Sequence, residues 1–70
     1  MKVVIVGAGE VGFHIARRLA IENNDVVVVD KDAEALRRVS DHIDVKTVHG
    51  SGSSPVTLEE ARLKEAETIL

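Results

Sequence analysis

An α/β fold with a parallel sheet is predicted by three observations. Short β-branched runs occupy residues 3–6 and 26–29, apolar residues recur at helical spacing after each run, and glycines crowd the junction between the first run and the first helix. Strands that alternate with helices form βαβ units, whose strands run parallel and are buried on both faces.

The first strand is Lys2-Val3-Val4-Ile5-Val6, an apolar run too short for a helix that stops at Gly7. After the glycines, Val11, Ile15 and Leu19 recur at helical spacing with Ala16 and Ala20 beside them, which predicts a helix buried along that stripe. Arg17, Arg18 and Glu22 fall elsewhere on the wheel. The second strand, Val26-Val27-Val28-Val29, ends at Asp30. Asp32 can cap a second helix whose buried stripe is Leu36, Val39 and Ile43 and whose exit begins at Ser40-Asp41. A third strand, Val45 to Val48, leads into His49-Gly50-Ser51-Gly52-Ser53-Ser54, small polar residues that mark a loop. Ser54 as cap and Pro55 in the first turn predict a third helix to about Arg62, and Ala66 to Leu70 reads as the approach to a fourth strand. Right-handed crossovers then give the order 3-2-1-4: β-α-β-α-β-α and the start of a fourth strand, the first half of a Rossmann-like doubly wound fold.

The chemistry lies in Gly7-Ala8-Gly9-Glu10-Val11-Gly12, placed between strand and helix, and in Asp30, eighteen residues after Gly12. Each glycine has a mechanical reason: a tight turn at Gly7, close approach of a pyrophosphate at Gly9, and close packing of helix on strand at Gly12. The helix start offers unsatisfied N–H groups and the positive dipole end to an anion. The Asp30 carboxylate is placed to accept hydrogen bonds from the ribose 2′- and 3′-hydroxyls and to repel a 2′-phosphate, which favours NAD(H) or another adenosine nucleotide over NADP(H). Lys31 beside it offsets part of that repulsion. A GxGxxG string alone also arises in purely structural turns; here strand, glycines, helix, strand and terminal acid stand in the required order.

Seventy residues bury only about 60% of the unfolded chain's surface. There is no cysteine to supply a disulfide or a thiolate metal site. The net charge of −3, with both signs interspersed, gives no electrostatic footprint for nucleic acid or an anionic membrane. No apolar stretch reaches the roughly 20 residues that span a bilayer, and the N-terminus enters the first strand directly, so neither membrane insertion nor a signal peptide is expected. Strand one would sit at the centre of a full sheet, whereas here only an incomplete fourth strand covers its second edge. The expectation is a piece of a longer chain, the alternative being two copies that pair edge to edge or swap elements.

Val-Gly-Ala-Gly-Glu-Val-Gly at the first turn, Val-Asp-Lys-Asp after strand two and Val-Lys-Thr-Val-His-Gly-Ser-Gly-Ser-Ser-Pro after strand three resemble the TrkA N-terminal domain, also called RCK or KTN. The resemblance runs from Met1 to Leu70, and its most discriminating part is the third-strand loop followed by Leu-Glu-Glu-Ala. It implies a cytoplasmic regulator of a potassium channel or transporter, held to the inner face of the membrane through that protein partner. It further implies that NAD(H) or ATP/ADP binds between the glycine turn and the third loop and alters how paired domains pack. Carried over by residue, Gly7, Ala8, Gly9, Glu10, Val11 and Gly12 hold the pyrophosphate, Asp30 the adenosine ribose, Lys31 borders the adenine side, and Ser51 and Gly52 flank the adenine. Ser51 stands where the family commonly has Asp or Asn, which shortens the reach of that contact. The implied partners are a second copy, in a homodimer or higher oligomer, and a membrane potassium-transport subunit.

The rival reading is the cofactor half of an NAD-dependent oxidoreductase. Against it, the nicotinamide pocket and acid/base of such enzymes come mostly from the second half of the fold. Ser51, Ser53 and Ser54 lack a nucleophile elbow and read as turn and cap residues, so no catalytic residue and no enzyme activity are expected. His14 reads as a helix-surface residue rather than a phosphate ligand. His42 and His49 fall in predicted loops without metal-ligand spacing, and no metal site is assigned. Phe13, the lone aromatic, reads as packing or interface, and the charged stretch from Glu59 to Glu67 as a solvated helix face and its exit.

Overall fold

The computed structural model describes residues 2–51 and 68–69. Among them the elements run β1 (Lys2–Val6), α1 (Glu10–Ile21), β2 (Asp25–Asp30), α2 (Ala33–His42), β3 (Lys46–His49) and β4 (Thr68–Ile69). The strands form one sheet in the order β3-β2-β1-β4, and every pairing is parallel. Of the predicted fourth strand, Thr68 and Ile69 are seen against Val3 and Val4. The predicted third helix lies outside the described residues.

The β-branched runs are strands because both of their faces are covered. Val3, Ile5, Val26 and Val28 pack with Ala16, Leu36, Val39 and Ile43 of the helical layer, while Val4, Val27, Val29 and Val48 form a second buried cluster. A strand buried on both sides has no polar face, hence the four successive valines of β2.

Helix α1 ends in a Schellman arrangement. Asn23 takes a left-handed conformation (φ 64°), its N–H donates to the Ala20 carbonyl, and the Asn24 N–H donates to the Leu19 carbonyl. Helix α2 starts at Asp32 as expected: Oδ1 accepts from the N–H of Glu34 at 3.0 Å and of Ala35 at 3.4 Å.

Four sequence expectations are corrected. Val11 is not in the buried stripe of α1 but 73% exposed. The buried face is centred one position further round the wheel, on Gly12 and Ala16, with Phe13, Ile15, Leu19 and Ala20 at its margins. The cause is Gly12, whose close approach to the Gly7 carbonyl fixes the rotation of the helix. Ser40 and Asp41 do not begin the exit of α2, which continues through His42 because Val39 and Ile43 hold its last turn on the core. His42 is therefore helical rather than in a loop. His49 likewise closes β3 rather than opening the loop, since the ladder with β2 runs on to the pair Asp30 and His49.

Candidate functional site

The candidate site lies where the C-terminal ends of β1, β2 and β3 meet the first turn of α1. Gly7 has a φ of +113°, a region that side chains disfavour, and its N–H donates to the Val29 carbonyl at 2.7 Å, which carries the β1–β2 ladder one step past the strand. A Cβ on Gly12 would overlap the Gly7 carbonyl oxygen, so glycine there is a condition of the helix sitting on the turn. Gly9 differs from both: its φ is −71° and a Cβ would meet nothing within 4 Å. No neighbour in the described protein explains a glycine at position 9, and the space it leaves opens outward. Ala8 between them turns its methyl into the main core and is 2% exposed.

Gly9 caps α1 without a side-chain hydrogen bond, and the Phe13 N–H makes the first i→i−4 bond, to the Gly9 carbonyl at 2.8 Å. The amides of Glu10, Val11 and Gly12 stand ahead of it, in the turn where helix geometry supplies no intrahelical acceptor. The result is a group of N–H donors at the positive end of a 12-residue helix.

Asp30 ties this turn to the end of β2. Its Oδ2 accepts from the Ala8 N–H at 2.6 Å and its Oδ1 from the Asp32 N–H at 2.8 Å. These two bonds, the one from Ala8 first, hold its carboxyl below the ordinary value of 3.8 against an opposing contribution from burial, and Lys31 acts in the same direction as the bonds. A carboxylate oxygen has two lone pairs, so each oxygen keeps one for a further donor. Asp30 is thus anionic, fixed in position, and still able to accept from two hydroxyls.

Two clefts flank the turn. One, of about 240 Å³, is lined by Val6, Gly7, Val29, Asp30, Lys31 and Gly50. The other, of about 360 Å³, lies between Gly9, Glu10, Phe13 and His14 of the turn and α1 and Arg38 and His42 of α2. The smaller one carries the chemistry expected of a nucleoside site, because it contains the acid and the strand ends. The larger one is walled by Phe13, whose ring lies edge-on to both His14 and His42. His42 is further held by a 2.8 Å hydrogen bond from Nδ1 to the Arg38 carbonyl.

The residues singled out from sequence are thereby divided. Gly7, Asp30 and Lys31 share the smaller cleft, whereas Ala8, Gly9 and Glu10 border the larger one. Val11 contributes an exposed side chain and a first-turn amide. Ser51 comes directly after Gly50 and is partly buried, and Gly52 lies outside the described residues. Sequence reasoning passed over Val6 and Gly50, and weighed His49 only as a metal ligand. The signal that could have found His49 and Gly50 was the parallel register, which sets His49 opposite Asp30. Among the described residues no three His, Asp or Glu side chains gather to hold a metal ion, and no helix is long and apolar enough to cross a membrane.

The family model described as the TrkA-N domain matches residues 3–70. The Trk system potassium uptake protein TrkA of Halomonas elongata is 44% identical over all 70 residues, and the protein of the same name from Azorhizobium caulinodans is 47% identical over the same length. A TrkA homologue of Methanosarcina mazei is 46% identical, again over the whole chain. The chain spans 15 to 16% of the length of these relatives.

Proposed function

The chain belongs to the TrkA-N domain family, and on that premise we propose that it is the nucleotide-sensing part of a potassium-uptake regulator. It binds NAD(H), or ATP/ADP, through the glycine turn and Asp30. The observation that carries the reading is the bond from the Ala8 N–H to Asp30 Oδ2, which joins the phosphate-side turn and the ribose-side acid into one preformed unit. The opening at Gly9 supports it, since the space a side chain would fill there is left open for a bound group to approach the backbone.

The ligand would lie with its pyrophosphate at the amides of residues 9–12 and its adenosine ribose at Asp30, whose remaining lone pairs suit two hydroxyl donors. Lys31 and Gly50 border the space on the adenine side, and the family resemblance assigns the adenine contact to Ser51 and Gly52, which follow in the chain. A carboxylate held ionised by backbone N–H groups repels a 2′-phosphate, which favours NAD(H), ATP and ADP over NADPH. The adenosine and pyrophosphate grips serve NADH and ATP alike. The names of the relatives support potassium uptake as the process served. In that setting the module works in the cytoplasm as a homodimer or higher oligomer, and transmits ligand binding to a membrane transport subunit by a change in packing. It is a sensor rather than an oxidoreductase.

Calorimetric titration of the full-length protein with NADH, NAD, ATP, ADP and NADPH tests the reading. Binding of the adenosine ligands with NADPH weakest is expected, and no binding by any of them would refute it. Asp30→Ala serves as the internal control and should weaken adenosine ligands by on the order of 1–3 kcal/mol through loss of two charge-assisted bonds.

A further inference from the structure

The corner after β2 is held by a chain of hydrogen bonds that ends on a histidine. The Asp30 carbonyl accepts from the Gly50 N–H at 2.9 Å, the last backbone rung between β2 and the segment leaving β3. One residue further on, His49 Nε2 lies 2.8 Å from the Lys31 carbonyl oxygen. A carbonyl can only accept, so the imidazole donates from Nε2, as both the Nε2–H tautomer and the imidazolium can. The side chain of His49 thus adds one more rung where the backbone ladder has stopped.

The Lys31 carbonyl and the Asp32 N–H are the two ends of a single peptide group, and a peptide group is planar. That same Asp32 N–H donates to Asp30 Oδ1 at 2.8 Å. The imidazole therefore fixes one end of a rigid plate whose other end holds the carboxylate. If the plate rotated about its flanking single bonds, the Asp32 N–H would swing off Oδ1. Bonds in such a chain also polarise one another, which strengthens the donor that faces the carboxylate.

We propose that His49 is a positioning residue of the nucleotide site, orienting the Asp30 carboxylate for the adenosine ribose through the Lys31–Asp32 peptide. The inference rests on the reading of Asp30 as the ribose acceptor. It concerns a residue on β3 that is not itself among those lining the Asp30 cleft and reaches it only through Lys31.

Two amide substitutions separate reach from polarity. Glutamine carries its amide nitrogen three bonds from Cβ, as Nε2 is carried in histidine, whereas asparagine carries it two bonds away, at the place of Nδ1. In the full-length protein, His49→Asn should raise the Kd for both ADP and NADH about fivefold or more, the equivalent of one good hydrogen bond, and His49→Gln should stay within about twofold of the wild type. A readout without ligand accompanies this: in His49→Asn the Asp30 carboxyl should titrate closer to its ordinary value by NMR, with Asp30→Asn identifying the resonance, and in His49→Gln it should not. The Lys31 bond is exposed, so both variants should unfold near the wild-type temperature. Affinity in His49→Asn equal to the wild type, or equal losses in both variants, would overturn the assignment. If the wild-type protein binds neither ADP nor NADH, the nucleotide reading itself fails; if it binds both and His49→Asn changes nothing, only the role of His49 is lost.

Discussion

The backbone N–H of Ala8 and the Oδ2 of Asp30 stand 2.6 Å apart, although 22 positions separate the residues in the chain. Ala8 also places its methyl in the main core, so the acid is anchored to a residue that cannot move without disturbing the packing beneath the sheet. The same bond stabilises the fold and presets the proposed site, since an acid held by the core would lose little further freedom on binding a ligand.

Asp30 should contribute stability that acid removes. Its folded-state carboxyl lies below 3.8, so its stabilising contribution is fully present above that unfolded value and is lost as pH falls below it through the lowered folded value. Asp30→Asn is expected to be less stable than the wild type at neutral pH, by about 1–3 kcal/mol, and to lose less on acidification. Urea unfolding between about pH 7 and pH 2 measures both, and parallel pH profiles for the two proteins would contradict the assignment.

Gly12 and Gly9 should respond in opposite ways to alanine. At Gly12 the added Cβ meets the backbone oxygen of Gly7, which cannot step aside, and Gly12→Ala should cost on the order of 1–3 kcal/mol or more in thermal or denaturant unfolding. At Gly9 the Cβ meets nothing, so Gly9→Ala should leave stability within about 1 kcal/mol while weakening nucleotide binding. A Gly9→Ala protein that binds as tightly as the wild type would remove the reason given for that glycine.

Asp32 should matter to α2 through its cap. Removing the Oδ1 acceptor of the Glu34 and Ala35 amides by Asp32→Ala is expected to cost about 1 kcal/mol. Asp32→Ser, which keeps an acceptor, should recover most of it. Paired denaturation curves decide the matter.

The rotation of α1 can be checked at two positions. Val11→Thr at an exposed site should change stability by no more than about 0.5 kcal/mol, whereas Ala16→Leu, at a fully buried site, should overpack the interface with the sheet and cost about 1–3 kcal/mol. The reverse ranking in thermal melts would restore Val11 to the buried stripe.

Local chemistry along the chain dictates the elements and their order. Uninterrupted β-branched runs are satisfied in strands covered on both faces, the Asp32 carboxylate reaches only the amides of the turn on its C-terminal side, and glycines at 7 and 12 answer demands of backbone geometry that no other residue meets. These are short-range properties, carried within a few residues of chain, and they are legible in the sequence. Which side of α1 faces the sheet is not legible in the apolar spacing, because Val11, Ile15 and Leu19 form as good a stripe as the face actually used; only the close packing expected at Gly12 pointed to the right face, and its contact with the Gly7 carbonyl is what selects it. Nor is the site's internal wiring. The bond between Ala8 and Asp30 and the reach of His49 to Lys31 depend on strand register and on where three chain segments stop relative to one another. Register is decided by packing on both faces of the sheet at once, since a slip of one residue would exchange the two buried clusters. That information exists only once the strands and helices have assembled.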